Sequence, residues 1–300
     1  MRQLLSVRPC AALLLACSAW FAGLPAAAQD AQALRAKHAA VKEQLANNPF
    51  GRPMTIESVE KDGNLKGDVY AVAMQPFAVT APALQGMDHW CDILMLHLNV
   101  KQCSWHGSGN DSTLSVAVGR KYDQPVKDAH KVDFNYHLIT TSADYLQVKL
   151  DADEGPLGTS DYRIVLEAIP LDAKTSFVHM SYSYSHGMAA KIAMQAYLST
   201  IGRDKVGFSV VGRKPDGSPV YMGGVRGVIE RNAMRYYLAI DAYLTASTLP
   251  PAEQPEKRIR EWVASVERYA RQLHEMEPEE YLEMKRKEIA RQQAAMGKSG

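Results

Sequence analysis

The chain has 300 residues, of which 46% are hydrophobic and 22% are charged, and its formal net charge at pH 7 is +1. This composition excludes an intrinsically disordered protein, which has fewer apolar residues and more net charge. It also argues against a nucleic-acid-binding protein, because such domains carry a strongly basic face. We therefore expect a globular protein with no nucleic-acid partner, large enough for one big domain or two small ones.

The N-terminus has the pattern of a secretory signal peptide. Arg2 and Arg8 precede an apolar run from Ala11 to Leu24, and the small residues Ala26-Ala27-Ala28 precede Gln29. The run is shorter than the ~20 apolar residues that a membrane span needs. We predict cleavage near Gln29, export to the periplasm and no transmembrane segment in the mature chain.

The four cysteines are interpreted in the light of this predicted export. Cys10 and Cys17 would leave with the signal peptide, which leaves Cys91 and Cys103 in an oxidising compartment. We predict a disulfide between them, with two buried free thiols as the alternative. A second alternative concerns Cys17, which could be a lipoprotein processing site and would then anchor the chain by a lipid.

The first part of the mature chain combines helical and β patterns. A helix is predicted from Ala31 to Leu45, and two β-rich runs follow at Met54–Val59 and Leu65–Met74. The intervening Asp62-Gly63 is typical of a tight hairpin turn. Apolar residues then recur at helical spacing from Pro82 to His97, which predicts one amphipathic helix.

A run of strands is predicted in the middle of the chain. The β-rich runs are Leu114–Val118, Phe134–Thr140, Tyr145–Leu150, Tyr162–Ala168 and Ser176–Tyr184. In the fourth run apolar and polar residues alternate, as they do in a half-buried antiparallel strand. Short connections between successive runs favour a meander.

Helices dominate the last third. Helical spacing returns at Met188–Ile201 and Val228–Leu244, and a hairpin is predicted between them from Val206–Val211 and Val220–Met222. The overall pattern is α+β, a mainly antiparallel sheet with helices packed against it.

The segment after Pro250 is predicted to be a C-terminal addition. Glu256–His274 has a strongly apolar face and could bind an envelope partner, whereas Glu275–Met296 is nearly all charge and glutamine. We interpret the second stretch as a solvated, fraying tail.

Three local phrases carry a resemblance to a known superfamily: Trp90–Ile93, Gly155–Arg163 and Phe177–Tyr184. Together with the order of hairpin, helix, meander and late helix, they resemble the START-like, or helix-grip, superfamily of lipid-transfer and polyketide cyclase-like proteins. The resemblance covers roughly Thr55 to Leu244. It implies a curved antiparallel sheet wrapped around a long helix, with extra C-terminal helices in this chain.

The predicted organisation has three parts: a signal peptide at residues 1–28, a START-like domain at 29–249, and a C-terminal amphipathic helix with a charged tail at 250–300. The resemblance implies an apolar cavity between sheet and helix that binds a lipid or another hydrophobic molecule. An ordinary filled core is the alternative. The residues predicted to line the cavity are Tyr162, Ile164, Leu166, Met180, Tyr182, Tyr184, Met234, Tyr237 and Ile240.

One segment, Gly223–Tyr237, combines glycines at a helix start with Arg226, Arg231 and Arg235. Such a segment suits an anionic head group, because a helix N-terminus and guanidinium groups both bind anions. A tight structural turn with neutralised arginines is the alternative. The carboxylates considered as their counter-charges are Glu167, Glu230 and Asp241.

No motif assigns catalysis. None of the nine histidines shows a metal-site spacing, and Ser209 lies in a strand pattern, away from any nucleophile elbow. The acidic turn Asp151–Gly155 lacks the other ligands of a calcium loop. We therefore predict no catalytic residue, no metal and no cofactor.

The leading hypothesis is a periplasmic binding or carrier protein for a hydrophobic ligand, with a lipid as one such ligand. Two alternatives stay open: a cyclase- or hydrolase-like enzyme that uses the same cavity, and an envelope interaction protein that binds its partner through the C-terminal helix.

Overall fold

The computed structural model of the chain describes residues 26–200 and 202–296. The predicted signal peptide lies almost wholly outside these residues. The strands are β1 (Met54–Lys61), β2 (Asn64–Ala73), β3 (Val100–His106), β4 (Thr113–Val118), β5 (His130–Thr141), β6 (Leu146–Glu154), β7 (Thr159–Pro170), β8 (Ser176–His186), β9 (Val210–Arg213) and β10 (Pro219–Tyr221). The helices are α1 (Ala26–Ala46), α2 (Phe77–Ala83), α3 (Met87–Met95), α4 (Met188–Ser199), α5 (Gly224–Ala246), α6 (Gln254–Glu267), α7 (Ala270–Leu273) and α8 (Pro278–Met296).

Eight strands form one antiparallel sheet in the order β1-β2-β8-β7-β6-β5-β4-β3. The first hairpin turns at Asp62-Gly63, where both residues have positive φ, as a type I′ turn requires. Helices α2 and α3 carry the chain from β2 to the far edge, and the meander β3 to β8 returns it to β2. The predicted hairpin and meander are confirmed.

The long helix α5 packs against β1, β2 and β8 on one face of this sheet. Gly67 in β2 allows the close approach, because a Cβ there would lie 3.0 Å from the Cβ of Ala233 and 3.1 Å from the carbonyl oxygen of Ile229. This is the helix-grip arrangement, a sheet wrapped around a long helix. The predicted α+β class and helix-grip arrangement are confirmed.

Helix α1 covers the opposite face of the sheet. Its residues Leu34 and Val41 pack with Tyr70, Ile169 and Phe177 in a second apolar cluster, separate from the main core. Strand residues alternate between the two faces, and β2, β7 and β8 supply side chains to both clusters. The strands are therefore covered on both sides near β2, β7 and β8.

The single helix predicted from Pro82 to His97 is wrong in extent. The chain forms two short helices, α2 and α3, because Gly86 between them adopts φ +87° and breaks the helical path. The predicted disulfide is present: Cys91 in α3 is bonded to Cys103 in β3, and the two Cα atoms are 5.3 Å apart.

The prediction of a solvated tail at Glu275–Met296 is also wrong. Helix α8 packs on α6 and β3, and Lys285 and Glu288 are fully buried. Glu288 accepts hydrogen bonds from Lys101 (3.0 Å) and Lys285 (2.7 Å). Charge composition alone suggested solvent exposure, but here the charges are paired with one another inside the protein.

The apolar face of α6 is buried too. Ile259, Trp262, Val263 and Val266 belong to the main core, and the Trp262 indole N–H donates to the carbonyl of Arg235 in α5 (3.2 Å). The face predicted to be free for an envelope partner is therefore occupied within the chain. None of the helices that the structure describes combines the length and the apolar character that a bilayer span requires.

Candidate functional site

A cavity of about 470 Å³ lies between the sheet, α5 and α4. Its sheet wall comes from β7 and β8, and the short 3-10 turn Pro156–Gly158 and α4 add further wall. A second cavity of about 130 Å³ shares five of its lining residues. These shared residues are Asn99, Pro156, Tyr162, Tyr182 and Asn232.

The rings of Tyr162, Tyr182 and Tyr184 form the sheet side of the cavity, which we call the tyrosine wall. Tyr182 and Tyr184 lie two residues apart in β8 and so face the same side, next to Tyr162 in β7. The rings of Tyr162 and Tyr184 are stacked with centroids 5.4 Å apart, and Tyr182 lies 5.0 Å from Tyr236 of α5. Burial raises the pKa of Tyr182 and Tyr184, so their hydroxyls remain neutral. The wall presents apolar ring faces with a few neutral polar groups.

One part of the cavity carries positive charge, and we call it the cationic cluster: Lys121, Arg231, Arg235 and Glu275. Arg231 and Arg235 lie one turn apart on α5 and are 3% and 4% exposed. Lys121 follows β4, and Glu275 follows α7. All four line the cavity.

Glu275 pairs with two cations of the cluster, Arg235 and Lys121, and with Lys205 beside it. Its carboxylate lies 2.8 Å from Arg235 Nη2, 2.7 Å from Lys121 Nζ and 3.2 Å from Lys205 Nζ. Burial alone would raise the pKa of this carboxyl, but the charges of Arg235 and Lys121 outweigh burial and lower the pKa to about 2. Glu275 is therefore ionised throughout the ordinary pH range.

His97 lines the smaller cavity and is buried. Its Nδ1 accepts a hydrogen bond from the backbone N–H of Asn99 (3.2 Å), and its ring stacks on Tyr236 with centroids 4.9 Å apart. Burial lowers the pKa of His97 well below its usual value, and the charge of Arg235 lowers it further. The imidazole is therefore neutral, with its proton on Nε2.

His186 lines the larger cavity at the end of β8. Both of its ring nitrogens are buried, and neither has a hydrogen-bond partner among the residues that the structure describes. A buried polar nitrogen without a partner costs free energy. A polar group of a ligand could therefore gain from pairing with it.

The structure places the predicted site residues in three groups. Tyr162, Tyr182, Tyr184, Arg231 and Arg235 line the cavity. The second group lies in the packed core and is not part of the lining: Ile164, Leu166, Met180, Met234, Tyr237 and Ile240. The third is Arg226, which donates to the carbonyl of Ser58 (2.7 Å) and does not line the cavity.

The counter-charges considered from the sequence lie elsewhere. Glu230 accepts from Ser58 and the backbone N–H groups of Phe208 and Ser209, and Asp241 pairs with Arg52. Sequence reasoning missed Lys121, Glu275, Asn99 and His186. Each comes from a loop or a strand end distant in the chain, where no local pattern indicates a shared cavity.

Glu167, the third of these carboxylates, belongs to a titratable cluster on the face covered by α1. His179 lies between Asp68 (2.8 Å) and Glu167 (2.6 Å) and stacks on Tyr70. Burial alone would lower the pKa of His179, but its hydrogen bonds to both carboxylates outweigh burial and raise the pKa. None of these residues lines the cavities described above. Among the described residues, no group of histidine, cysteine and carboxylate side chains could hold a metal ion.

No family model matches the chain, and no curated protein matches it. Solved structures that match part of the chain include a conserved protein from Geobacillus kaustophilus, at 11% identity and a TM-score of 0.35, covering 61% of this chain and 97% of that one. Human StAR-related lipid transfer protein 5 matches at 11% identity and a TM-score of 0.31, covering 58% and 89%. Norcoclaurine synthase from Thalictrum flavum matches at 13% identity and a TM-score of 0.32, covering 50% and 82%.

Proposed function

We propose that this chain is an exported, periplasmic binding or carrier protein that encloses a hydrophobic ligand, of which a lipid is the leading class. The observation that carries the proposal is the cavity of about 470 Å³ between the tyrosine wall and α5. Ligand pockets usually measure roughly 300–1,000 Å³, with mainly apolar walls and a few polar groups. This cavity has both properties.

The size of the cavity supports a role beyond packing. A space of about 470 Å³ is many times the roughly 30 Å³ that one water molecule occupies, so it has room for several waters or a ligand. An apolar ligand that displaces water from the tyrosine wall gains free energy.

Two features support export. The N-terminal sequence has the charged, apolar and small-residue regions of a signal peptide. The Cys91–Cys103 disulfide suits an oxidising compartment such as the periplasm. We expect the mature protein to begin at Gln29 and to appear in the periplasmic fraction, which intact-mass analysis of that fraction measures.

The cavity is tested by filling it. Ala190 of α4 lines the cavity, whereas Ala196 of the same helix is exposed and does not. Ala190→Phe should weaken binding of an uncharged apolar fluorescent probe, N-phenyl-1-naphthylamine, by tenfold or more, and Ala196→Phe should leave it unchanged. Equal affinities in both variants would contradict the proposal.

A second candidate is a cyclase- or hydrolase-like enzyme that uses the same cavity. The observation that favours it is the neutral His97 beside Tyr236, both lining the smaller cavity. A group held with its proton on Nε2 can donate to a substrate oxygen. Turnover of a bound ligand that disappears in His97→Phe would favour the enzyme over the carrier.

A further inference from the structure

We propose that the ligand is an amphiphile with an anionic head group, a carboxylate or a phosphate, bound at the cationic cluster. The inference rests on the proposed function, because it assigns a ligand class to the same cavity. It does not follow from the apolar wall, which would accept any hydrophobic molecule of suitable size.

Most of the charged side chains in the cavity wall are positive. Its described lining contains three cations, Lys121, Arg231 and Arg235, and one carboxylate, Glu275. Lys205 adds a fourth positive charge, since it also contacts Glu275 (3.2 Å). Counted over these described side chains alone, four formal positive charges face one carboxylate.

Burial makes this excess matter. Arg231 and Arg235 are almost entirely removed from solvent, and water screens them less than it screens surface charges. An anionic ligand is therefore attracted more strongly here than at a solvent-exposed patch, whereas a cationic ligand is repelled.

Hydrogen-bond chemistry points the same way. Guanidinium and ammonium groups only donate, and they bind carboxylate or phosphate oxygens more strongly than neutral acceptors. Asn232 lines the same cavity and has a side-chain amide donor, whereas the amide nitrogen of Asn99 donates to the carbonyl of Gly119 (2.7 Å). The tyrosine wall with Ala190 and Met194 provides the apolar surface for the chain of the amphiphile.

The test uses four probes with the same twelve-carbon chain: dodecanoate, dodecyl phosphate, dodecanol and dodecyltrimethylammonium. Each is titrated into the delipidated mature protein by calorimetry. We expect at least one anionic probe to bind ten times more tightly than dodecanol, and the cationic probe to bind least. The stronger of the two anions distinguishes a carboxylate from a phosphate head group.

Variants separate charge from packing. Arg235→Gln and Lys121→Gln should each weaken the anionic probe about tenfold and leave dodecanol unchanged, whereas Glu275→Gln should strengthen the anionic probe several-fold. Arg226→Gln is the matched control, because Arg226 lies on α5 outside the cavity. Lys121 is more exposed than Arg235, so its variant tests the cluster even if Arg235→Gln fails to fold.

Three outcomes would overturn the inference: equal binding of dodecanol and both anions, parallel losses for neutral and anionic probes in Lys121→Gln, or weaker anion binding in Glu275→Gln. In each of these the proposed carrier function survives. Failure of all four probes to bind would instead contradict the proposed function itself.

Discussion

The guanidinium of Arg235 and the carboxylate of Glu275 lie 2.8 Å apart, although 40 residues separate them in the chain. The contact joins the long helix α5 to the segment between α7 and α8. Because both residues line the cavity, the C-terminal part of the chain contributes to its wall. The segment between α7 and α8 is therefore part of the cavity wall.

The first prediction concerns acid stability. The pKa of Glu275 is lowered from 4.5 to about 2. The ionised carboxylate therefore contributes to the free energy of unfolding above pH 4.5, and this contribution is lost as the pH falls through 2. We expect Glu275→Gln to lower the free energy of unfolding by about 2 kcal/mol at pH 7. The difference should shrink towards pH 2 in chemical denaturation series. A difference that does not change between pH 7 and pH 2 would contradict this assignment.

The second prediction concerns His179, whose pKa is raised from 6.5. The stability that protonated His179 contributes is full below pH 6.5 and is lost as the pH rises through its raised pKa. In acid this stability is lost again, because Asp68 and Glu167 become protonated as the pH falls through their lowered pKa values. His179→Gln should cost about 3 kcal/mol near pH 6 and less at pH 9.

Thermal denaturation of His179→Gln across this pH range measures the effect. His130→Gln is the control, because His130 is exposed on β5 and its loss should change stability little at any pH. A stability difference for His179→Gln that increases from pH 6 to pH 9 would contradict the pairing of a protonated His179 with Asp68 and Glu167.

The third prediction tests the packing of α5 against β2. Gly67→Val places a side chain where Ala233 and Ile229 already lie within about 3 Å, and such overpacking costs about 1–3 kcal/mol. Gly212→Val in the exposed strand β9, whose nearest neighbour is 4.0 Å away, should change stability by less than about 0.5 kcal/mol. Equal Tm values for the two variants would show that α5 does not lie against β2.

The fourth prediction tests whether α8 is part of the fold. Glu288→Gln leaves Lys101 and Lys285 without their shared carboxylate in a buried site, which should cost about 3–5 kcal/mol. Glu283→Gln, an exposed change on the same helix, should leave the stability nearly unchanged, because solvent screens exposed ion pairs. Urea denaturation of both variants measures this difference. Equal midpoints would indicate that α8 is a solvated tail and is not packed against the rest of the protein.

Local patterns predicted most of the architecture. The Asp62-Gly63 turn, the alternation in Tyr162–Ala168 and the helical spacing in Val228–Leu244 each depend on neighbouring residues, so one sequence suffices to find them. The helix break at Gly86 was missed because apolar spacing continues across it. In α8, the pairing of Lys285 and Glu288 with Lys101 could not be foreseen from charge composition.

The site was predictable only in part. Alternation showed which residues of β7 and β8 face inward, but Ile164 fills the core whereas Tyr162 borders the cavity. A filled core and an open cavity both require apolar residues at the inward-facing positions of each strand, so the sequence does not distinguish them. Likewise Arg231 and Arg235 could be found as a helical pair, but Lys121 and Glu275 join them only through the tertiary fold.

The central claim is that the cavity between the tyrosine wall and α5 encloses a hydrophobic ligand. Native mass spectrometry of the mature protein, purified gently from the periplasm and followed by lipid extraction, tests it most directly. We expect a reproducible added mass that the extraction identifies as an anionic amphiphile, and that is lost in Ala190→Phe. A clean apo mass, unchanged after mixing with envelope lipids, would contradict the claim.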